Sequence, residues 1–311
     1  MINQYLKRMN TINSFEELVA HLSSQGNRKR VAVVCASDES TQYAVTRALR
    51  EGFIEAIFVG SKNEVEANVD LKGLEDYISF VDAQSPDDAA AKAVQLVRDG
   101  KADILMKGLI NTDNLLRAVL NKEHGILAKG NVLTHITAAS IANYPRLLFF
   151  TDAAVIPYPT QEQRIAQVNY IAELCRSFGI SQPRISLIHS SEKVNGKHFP
   201  FTEGYVEIVN NSKNGDFGSC IIDGPLDVKT SCCKESMDKK GIHSPIDGAA
   251  DALVFPDIEA GNVFYKTITL FCGAETAGML VGPMVPVVLP SRSDSKTCKY
   301  YSLALATINS K

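Results

Sequence analysis

The sequence lacks any apolar run long enough to cross a membrane, and its first residues lack the apolar core of a secretion signal. A transmembrane helix needs about 20 consecutive apolar residues, and no stretch of the 311 residues approaches that length. The stretch from Met1 to Arg8 is too polar for a signal peptide. We therefore expect a cytoplasmic protein that does not associate with membranes.

Patterns for metal binding and for disulfide bonding are also missing. The seven cysteines form no C-x-x-C pair and are odd in number, which argues against a zinc site and against a complete disulfide framework. The six histidines show no H-x-x-x-H spacing. A lone histidine is more often a satisfied core or surface residue than a ligand. We expect reduced cysteines and no protein-bound metal.

There is little excess charge of either sign. The chain has 32 Lys and Arg against 35 Asp and Glu, for a formal net charge of −3, which argues against a nucleic-acid partner. Hydrophobic residues make up 45% of the chain and charged residues 22%, as in an ordinary globular protein. A chain of this length usually forms two domains, or one large domain with a split, and its ligands are expected to be small molecules.

Three common catalytic and nucleotide-binding motifs are absent. The sequence contains no G-x-x-x-x-G-K-[ST] phosphate loop and no G-x-G-x-x-G dinucleotide fingerprint. No G-x-S-x-G elbow surrounds Ser291, and no Ser/His/Asp order is recognisable, so a hydrolase triad is not supported.

What is present is an alternation of strand-like and helix-like segments, which predicts an α/β fold with a largely parallel sheet. Helices are predicted where caps precede a 3.6-residue apolar period, and strands where short β-branched runs end at turn residues. The predicted strands are 30–36, 56–60, 78–82, 102–106, 131–133, 146–150, 184–189, 220–223, 252–255 and 285–289. The predicted helices are 14–24, 41–50, 87–98, 113–121, 161–177, 226–239, 260–271 and 296–308, and residues 211–218 are predicted to form a loop.

The order of these segments suggests two α/β domains. A second strand series begins after residue 150, and the last strand and helix follow it. We expect one domain from residues 1–150 and 273–311, and a second from residues 151–272; this boundary depends mainly on the family resemblance described below.

The end of the last predicted strand is the first candidate site. Ser291 and Arg292 follow the run 285–290, and a helix capped by Asp294 or Ser295 comes next. Ligands of open α/β sheets lie outside the carboxyl ends of strands, and the following helix N-terminus favours an anion. Arginine suits phosphate oxygens. The alternative is a solvated loop in which Arg292 pairs with Asp294.

The strand ending at Lys107 repeats this layout. Gly108 permits close backbone approach, Lys107 supplies a positive charge, and Thr112 or Asp113 is expected to cap the next helix. An ordinary strand-to-helix turn is the alternative interpretation. Two further segments also allow a structural or a functional interpretation. Asp223-Gly224-Pro225 is either a turn or part of a site, and Asp257 is either a helix cap or a site residue. Lys266 is either a solvated helix residue or a site residue.

Taken together, four segments resemble the phosphate acetyltransferase and phosphate butyryltransferase family. They are 106–108 (MKG), 223–226 (DGPL), 256–266 (PDIEAGNVFYK) and 290–292 (PSR), and the similarity runs nearly end to end. The segments KGLINT and VVLPSRSDS are more similar to the butyryl branch, whereas 151–160 (TDAAVIPYPT) is also similar to the acetyl branch.

The resemblance implies a dimeric enzyme with the two-domain fold of isocitrate and isopropylmalate dehydrogenases and a site between its domains. It implies reversible acyl transfer between coenzyme A and inorganic phosphate, with no tightly bound cofactor. Arg292 would hold phosphate or stabilise the oxyanion, and Ser291 would donate a hydrogen bond there. The residues expected to bind coenzyme A or phosphate are Lys107, Gly108, Thr112, Asp257, Asn262 and Lys266.

The sequence departs from the acetyl branch at one position. Members of that branch place an aspartate seven residues beyond the serine as the expected base for the coenzyme A thiol, whereas this chain has Cys298 there. Asp294 is the candidate to replace it, although it could equally cap the following helix. Cys298 is expected to be a packed helix residue, because direct transfer needs no nucleophilic thiol.

Three alternatives to a butyryl-transferring enzyme remain at this point. Acetyl transfer is one, since pocket size decides acyl length. A coenzyme A-binding homologue without catalysis is another, suggested by Cys298. An NAD-dependent dehydrogenase of the same fold is the third, but neither its metal-binding carboxylates nor its nicotinamide site can be identified.

Overall fold

A computed structural model of the chain describes residues 11–66, 71–291 and 294–310. Within them, helices and strands alternate along most of the chain. The helices are α1 (Phe15–Ser24), α2 (Glu39–Arg50), α3 (Lys62–Glu66), α4 (Pro86–Arg98), α5 (Thr112–Val119), α6 (Gln161–Ser177), α7 (Phe201–Lys213), α8 (Val228–Cys232), α9 (Lys234–Lys239), α10 (Ile258–Phe271) and α11 (Lys296–Asn309), with a 3-10 helix at Glu75–Tyr77.

The strands form a single 11-stranded sheet in the described part of the chain. Its order is β3-β2-β1-β4-β11-β10-β5-β6-β9-β7-β8. The strands are β1 (Lys29–Val34), β2 (Ile54–Val59), β3 (Ile78–Val81), β4 (Ile104–Lys107), β5 (Thr134–Ser140), β6 (Leu148–Thr151), β7 (Arg184–Ile188), β8 (Ile221–Leu226), β9 (Ala252–Val254), β10 (Glu275–Val281) and β11 (Val287–Val288).

The sheet is mostly parallel, with one antiparallel zone near its middle. The pairs β11–β10, β10–β5 and β5–β6 are antiparallel, and the other described pairs are parallel. Because of these three reversals, β6, β9, β7 and β8 run opposite to β4 and β11. Their carboxyl ends therefore lie at the opposite edge of the sheet, where an edge is one of the two borders at which the strands begin and end. The predicted α/β class with a mostly parallel sheet is confirmed.

Side-chain caps set where several helices begin. Ser14, Asp38 and Ser85 each accept a hydrogen bond from a backbone N–H of the first helical turn, of α1, α2 and α4 respectively. Thr160 forms a full capping box with Gln163 at the start of α6. These caps satisfy N–H groups that the helix itself leaves without a partner.

The sheet is buried on both faces. Alternate residues of a strand point to opposite faces, so Val33 joins one apolar cluster and Val34 another. We call the cluster with α1, α2, α6, α7 and α11 the continuous core. The second face carries two separate clusters, which we call the α4–α5 core and the α10 core.

Several predicted elements were wrong. The helix predicted at 226–239 is interrupted, because Leu226 still belongs to β8, Asp227 caps α8, and the backbone of Cys233 is extended between α8 and α9. The strand predicted at 131–133 begins at Thr134 instead. Residues 211–213 of the predicted loop belong to α7, which the sequence patterns did not predict, and β10 was not predicted either.

Candidate active site

The carboxyl ends of β4 and β11 lie side by side. The two strands pair in parallel, with Leu105 opposite Val287 and Met106 opposite Val288. Lys107 and Ser291 therefore leave neighbouring strands at the same edge of the sheet. The structure thus brings together the two strand ends that the sequence identified separately.

Lys107 is held inside this edge. Its side chain is 4% exposed, and Nζ donates to the carbonyl oxygen of Gly108 at 3.3 Å. A buried ammonium is costly unless anions or hydrogen-bond acceptors compensate it. Lys107 therefore places a positive charge next to the backbone turn at the end of β4.

Gly108 fits here because β1 approaches it closely. Its N–H donates to the carbonyl of Val34 at 2.8 Å, and the next N–H, of Leu109, donates to the carbonyl of Cys35 at 2.7 Å. A Cβ on Gly108 would clash with the Cys35 carbonyl and lie 2.7 Å from that of Val34. Only glycine allows the ends of β1 and β4 to meet in this way.

Thr112 lies at the start of α5, beyond this turn. It is the first helical residue and is exposed. The N-cap position is held by Asn111, so the prediction that Thr112 or Asp113 caps the helix was wrong.

A hydrogen-bonded turn follows β11. The N–H of Ser291 donates to Asp294 Oδ2 at 2.8 Å, and the N–H of Asp294 donates to the Ser291 carbonyl at 3.2 Å. Ser295, not Asp294, caps α11, because its Oγ accepts from the Cys298 N–H at 3.0 Å. Asp294 therefore closes the turn, and Arg292, the other residue predicted here, lies outside the described residues.

A cavity of about 280 Å³ lies beside this turn. It brings together Asp294, Cys298 and Lys266, which come from the turn, α11 and α10. Its lining is largely polar and includes Tyr265, Lys266, Thr269, Glu275, Thr276, Asp294, Ser295, Thr297, Cys298 and Tyr301. Lys266 is exposed, with Nζ 4.8 Å from the centre of the Tyr265 ring. An anionic ligand here would meet a lysine and the N-terminus of α11.

The cavity keeps the Cys298 thiol and the Tyr265 hydroxyl protonated. Burial, reinforced by the charge of Asp294, raises the pKa of the Cys298 thiol to about 11. Burial likewise raises the pKa of Tyr265 to about 12, again with a contribution from Asp294. The Cys298 thiol lies 3.8 Å from Thr276 Oγ1. As a neutral thiol at physiological pH, Cys298 is a poor base and a poor nucleophile.

Asp257 and Asn262 lie at the other edge of the sheet, beyond the carboxyl end of β9. Asp257 caps α10 by accepting from the Ala260 N–H at 2.8 Å. Asn262 Nδ2 donates to the carbonyl of Ala153 at 2.9 Å. The structure does not bring these two residues together with Lys107 or Ser291. Lys266, one turn after Asn262 on the same helix, is the residue of this motif that reaches the cavity.

An apolar groove of about 560 Å³ adjoins Asp257. Phe199, Phe201, Phe255 and Phe264 line it, together with Ile188 and Val263. Its lining offers few groups that would hold a phosphate, so it differs in chemistry from the cavity at Asp294.

Two polar residues, Asp152 and His135, were not predicted as site residues, although Asp152 belongs to the similar segment 151–160. Asp152 is 2% exposed, and its carboxylate accepts hydrogen bonds from Thr134 Oγ1 at 2.7 Å and from the N–H groups of His135, Ala154, Val155 and Ile156. His135 is half-buried at the start of β5. The sequence offered one weak signal, the polar turn after β6, and none for a histidine whose position depends on strand pairing.

The described residues offer neither a membrane-spanning helix nor a cluster of metal ligands. None of the helices placed by the structure is both long and apolar enough to span a bilayer. The same residues contain no group of three or more His, Cys, Asp or Glu side chains arranged to hold a metal ion.

The chain is similar to characterised acyltransferases over nearly its whole length. It is 38% identical to the phosphate butyryltransferase of Clostridium acetobutylicum over 299 residues, which covers 96% of this chain and 98% of that protein. It is 33% identical to the phosphate acetyltransferase of Thermotoga maritima, covering 92% of this chain and 96% of that protein.

Solved structures give the same picture. A branched-chain phosphotransacylase from Enterococcus faecalis V583 has a TM-score of 0.78 at 32% identity, covering 90% of this chain and 98% of that one. A putative 4-hydroxythreonine-4-phosphate dehydrogenase from Salmonella typhimurium has a TM-score of 0.57 at 11% identity, covering 91% and 99%. The second likeness concerns the fold alone, and it confirms the expected dehydrogenase-like fold.

The sequence profile described as Phosphate acetyl/butaryl transferase matches residues 80–307. This stretch includes both strand ends, the whole of α10 and the cavity at Asp294. The resemblance predicted from four short segments is confirmed, and the chain belongs to the phosphate acetyl/butyryl transferase family.

Proposed function

We propose that this protein transfers a short acyl group reversibly between coenzyme A and inorganic phosphate, with butyryl favoured over acetyl. The observation that carries the proposal is the parallel pairing of β4 and β11, whose neighbouring carboxyl ends lead into Lys107 and Ser291, in a chain 38% identical to a phosphate butyryltransferase. Both substrates are anionic, and a phosphate or diphosphate needs positive charge and N–H donors where it binds.

The chemistry requires a phosphate oxygen to attack the thioester carbonyl carbon while coenzyme A leaves as a thiolate. In the proposed arrangement, the Ser291 hydroxyl donates to the oxygen on which negative charge develops, and Arg292 holds the phosphate beside it. Lys107 offsets further charge from the end of β4. Donors placed in advance around a developing oxyanion are worth about 3 kcal/mol each in comparable enzymes.

The remaining assignments divide between the two substrates. Asp294 supplies negative charge on the side where the thiol proton is exchanged. Gly108 and Thr112 border the phosphate, and Lys266 contacts the anionic part of coenzyme A from α10. Asp257 and Asn262 hold the N-terminal turn of α10, which positions Lys266. Coenzyme A is a substrate in this scheme, and no tightly bound cofactor takes part.

We further propose that the substrates bind between two lobes, residues 1–150 with 273–311 and residues 151–272, in a cytoplasmic homodimer. Arrangement of the reactants between two rigid parts would supply much of the rate acceleration. Sedimentation of the purified protein tests the dimer, and a monomer at micromolar concentration would contradict it.

The decisive assay follows thiol release from acetyl-, propionyl- and butyryl-CoA with and without phosphate. We expect phosphate-dependent release, with the highest kcat/KM for butyryl-CoA. Release that does not depend on phosphate with any of the three would refute the proposal. Coenzyme A binding measured by calorimetry in the absence of turnover would instead identify a binding homologue, the alternative that Cys298 favours.

The Arg292→Ala variant tests the phosphate site. Loss of one charge-bearing donor should reduce kcat/KM about 100-fold and raise the phosphate concentration needed for half-maximal rate. Arg98→Ala, an exposed residue at the end of α4, is the matched control and should behave as the unmodified protein. An unchanged rate and phosphate dependence in Arg292→Ala would remove Arg292 from the mechanism.

A further inference from the structure

A polar stripe crosses the second face of the sheet between its two apolar cores. On that face, Leu280 of β10 belongs to the α4–α5 core and Ala139 of β5 to the α10 core. Between them lie Gly278 on β10, with His135 and Thr137 on β5, as the antiparallel pairing of the two strands places them. This stripe therefore forms the floor between the two clusters.

The stripe continues directly from the cavity at Asp294. Thr276, which lines that cavity, stands two residues before Gly278 on β10 and so on the same face. Two residues along a strand span about 7 Å. The imidazole of His135 is thus one side-chain position away from the cavity wall.

Gly278 makes room for this imidazole. A Cβ at position 278 would lie 2.6 Å from His135 Nε2 and 2.9 Å from Cε1. The ring occupies the space in which any other residue of β10 would place its side chain. The missing side chain at Gly278 and the imidazole of His135 are therefore complementary in shape.

The ring is oriented by one hydrogen bond, and the charges of two carboxylates act on it. Nδ1 lies 3.3 Å from Thr137 Oγ1, and Nε2 forms no hydrogen bond with any residue in the described ranges. Burial lowers the pKa of His135, whereas the charges of Asp152, at the end of β6, and of Asp294, before α11, act in the opposite direction. The imidazole is neutral at physiological pH, and a proton added to it would be stabilised from both sides.

Resting on the proposed function, we infer that His135 is the group that exchanges the proton of the coenzyme A thiol. With Nδ1–H donating to Thr137, Nε2 takes the proton from sulfur as sulfur attacks the acyl phosphate carbonyl. The carbon–oxygen bond to phosphate breaks, and the leaving phosphate oxygen takes the proton from Nε2, so that inorganic phosphate departs as hydrogen phosphate. In the reverse direction Nε2 accepts the proton of hydrogen phosphate as its oxygen attacks the thioester carbon, and gives that proton to the leaving thiolate, so atoms and charges balance in both directions.

This assignment resolves the absence of the expected aspartate at position 298. A free thiol has a pKa of about 8.5, an imidazole about 6.5 and an ordinary carboxyl about 4, so imidazole is much better matched to the thiol. The Cys298 thiol is protonated and cannot accept the proton. Asp294 then acts through His135, as the charge that stabilises the imidazolium.

The test measures kcat for the reaction of acyl phosphate with coenzyme A as a function of pH, from about pH 5 to about pH 9. The unmodified enzyme should lose activity as pH falls through a midpoint below about 6.5, because protonation of His135 removes the base. His135→Gln should lower kcat about 100-fold, abolish this acidic limb, and leave the KM for coenzyme A within about threefold. His124→Gln, an exposed histidine, should match the unmodified enzyme.

Each other outcome overturns the inference. A His135→Gln enzyme that keeps the acidic limb, at any kcat, shows that His135 is not the base, and so does an unmodified enzyme without that limb. If His135→Gln does not fold, Thr137→Val removes the partner of Nδ1 while keeping the ring, and its acidic limb should shift; an unmoved midpoint contradicts the assignment. An unmodified enzyme without any phosphate-dependent transfer refutes the proposed function itself.

Discussion

The ammonium of Lys299 lies 2.9 Å from Asp38 Oδ1. It also lies 2.8 Å from Ser40 Oγ and 3.3 Å from Thr41 Oγ1. Lys299 directly follows Cys298 in α11, and Asp38 caps α2 just beyond the end of β1. This buried ion pair therefore fastens the helix that carries the cavity wall to the strand end that borders Gly108.

Replacing Lys299 with methionine should destabilise the fold. The substitution keeps most of the side-chain volume but leaves the partly buried Asp38 without its counter-charge, and we expect a cost of about 2 kcal/mol, below the cost of breaking a fully buried pair. Denaturant unfolding measures the loss. Lys296→Met, an exposed lysine at the start of the same helix, should change the free energy of unfolding by less than about 0.5 kcal/mol. Equal effects of the two substitutions would contradict the role of the pair.

The same ion pair predicts a weakness at acid pH. Burial alone would raise the pKa of Asp38, but hydrogen bonds from Lys299 and Thr41 outweigh it and lower the pKa to about 2. A carboxyl with a depressed pKa stabilises the fold above its unfolded value of about 3.9, and this contribution is lost as pH falls towards 2. Across this pH range, the free energy of unfolding should change more with pH for the unmodified protein than for Asp38→Asn. Identical pH dependence of the two proteins would exclude the contribution of Asp38.

Gly108→Ala should disturb the junction of β1 and β4. The added methyl group would meet the carbonyl groups of Cys35 and Val34, and overpacking of this kind costs about 1–3 kcal/mol. We expect a lower melting temperature together with reduced transfer activity, since Lys107 would move with the backbone. Leu109→Ala, whose side chain is 55% exposed, provides the control for stability. A Gly108→Ala protein as stable as the Leu109→Ala control would contradict this prediction, because β1 and β4 would then have moved apart without loss of stability.

Cys298→Ser should remain active. Because the pKa of Cys298 is raised to about 11, its thiolate fraction near pH 8 is about one in a thousand, too small for a role as base or nucleophile. The rate at neutral pH should stay within about threefold of the unmodified rate. Iodoacetamide should modify the exposed Cys272 well before Cys298. Rapid alkylation of Cys298 with loss of activity would contradict this prediction.

Lys266→Ala should weaken binding more than it slows the reaction. Lys266 presents its charge to the cavity from α10, and loss of one contact to a phosphate group should raise the KM for coenzyme A about tenfold. The difference should shrink at high salt, because screening weakens exposed charges. Lys239→Ala, an exposed lysine on α9, is the control. A tenfold fall in kcat with an unchanged KM would place Lys266 in the chemical step instead.

Much of the fold was predictable because local signals and tertiary structure agree. The apolar period of α6 predicted its bounds, Gln161–Ser177, correctly. Failures occurred where neighbours override local signals. Gly224 and Pro225 are typical turn residues, yet they continue β8. This strand is the outermost on its side of the sheet and so tolerates a missing N–H group.

The candidate site was predictable in part. Strand-end position and chemistry identified Lys107 and Ser291, and the pairing of β4 with β11 places the ends of their two strands side by side. The position of His135 depends on the register between β5 and β10, two strands whose pairing no local pattern specifies. The role of Asp294 likewise depended on whether its carboxylate or the hydroxyl of Ser295 capped α11, and the capping oxygen belongs to Ser295.

Helix α10 connects the two edges of the sheet. Its 14 residues form one uninterrupted rod of about 20 Å, with its first turn against Asp152 and Ala153 and its later turns at the cavity. Gly261 packs so closely on the Asp152 carbonyl that the rod cannot slide there without moving β6. The contact of α10 with Asp152 therefore fixes where Lys266 stands at the cavity, and the PDIEAGNVFYK segment contains both the residues that anchor the helix and the residue that it presents to the cavity.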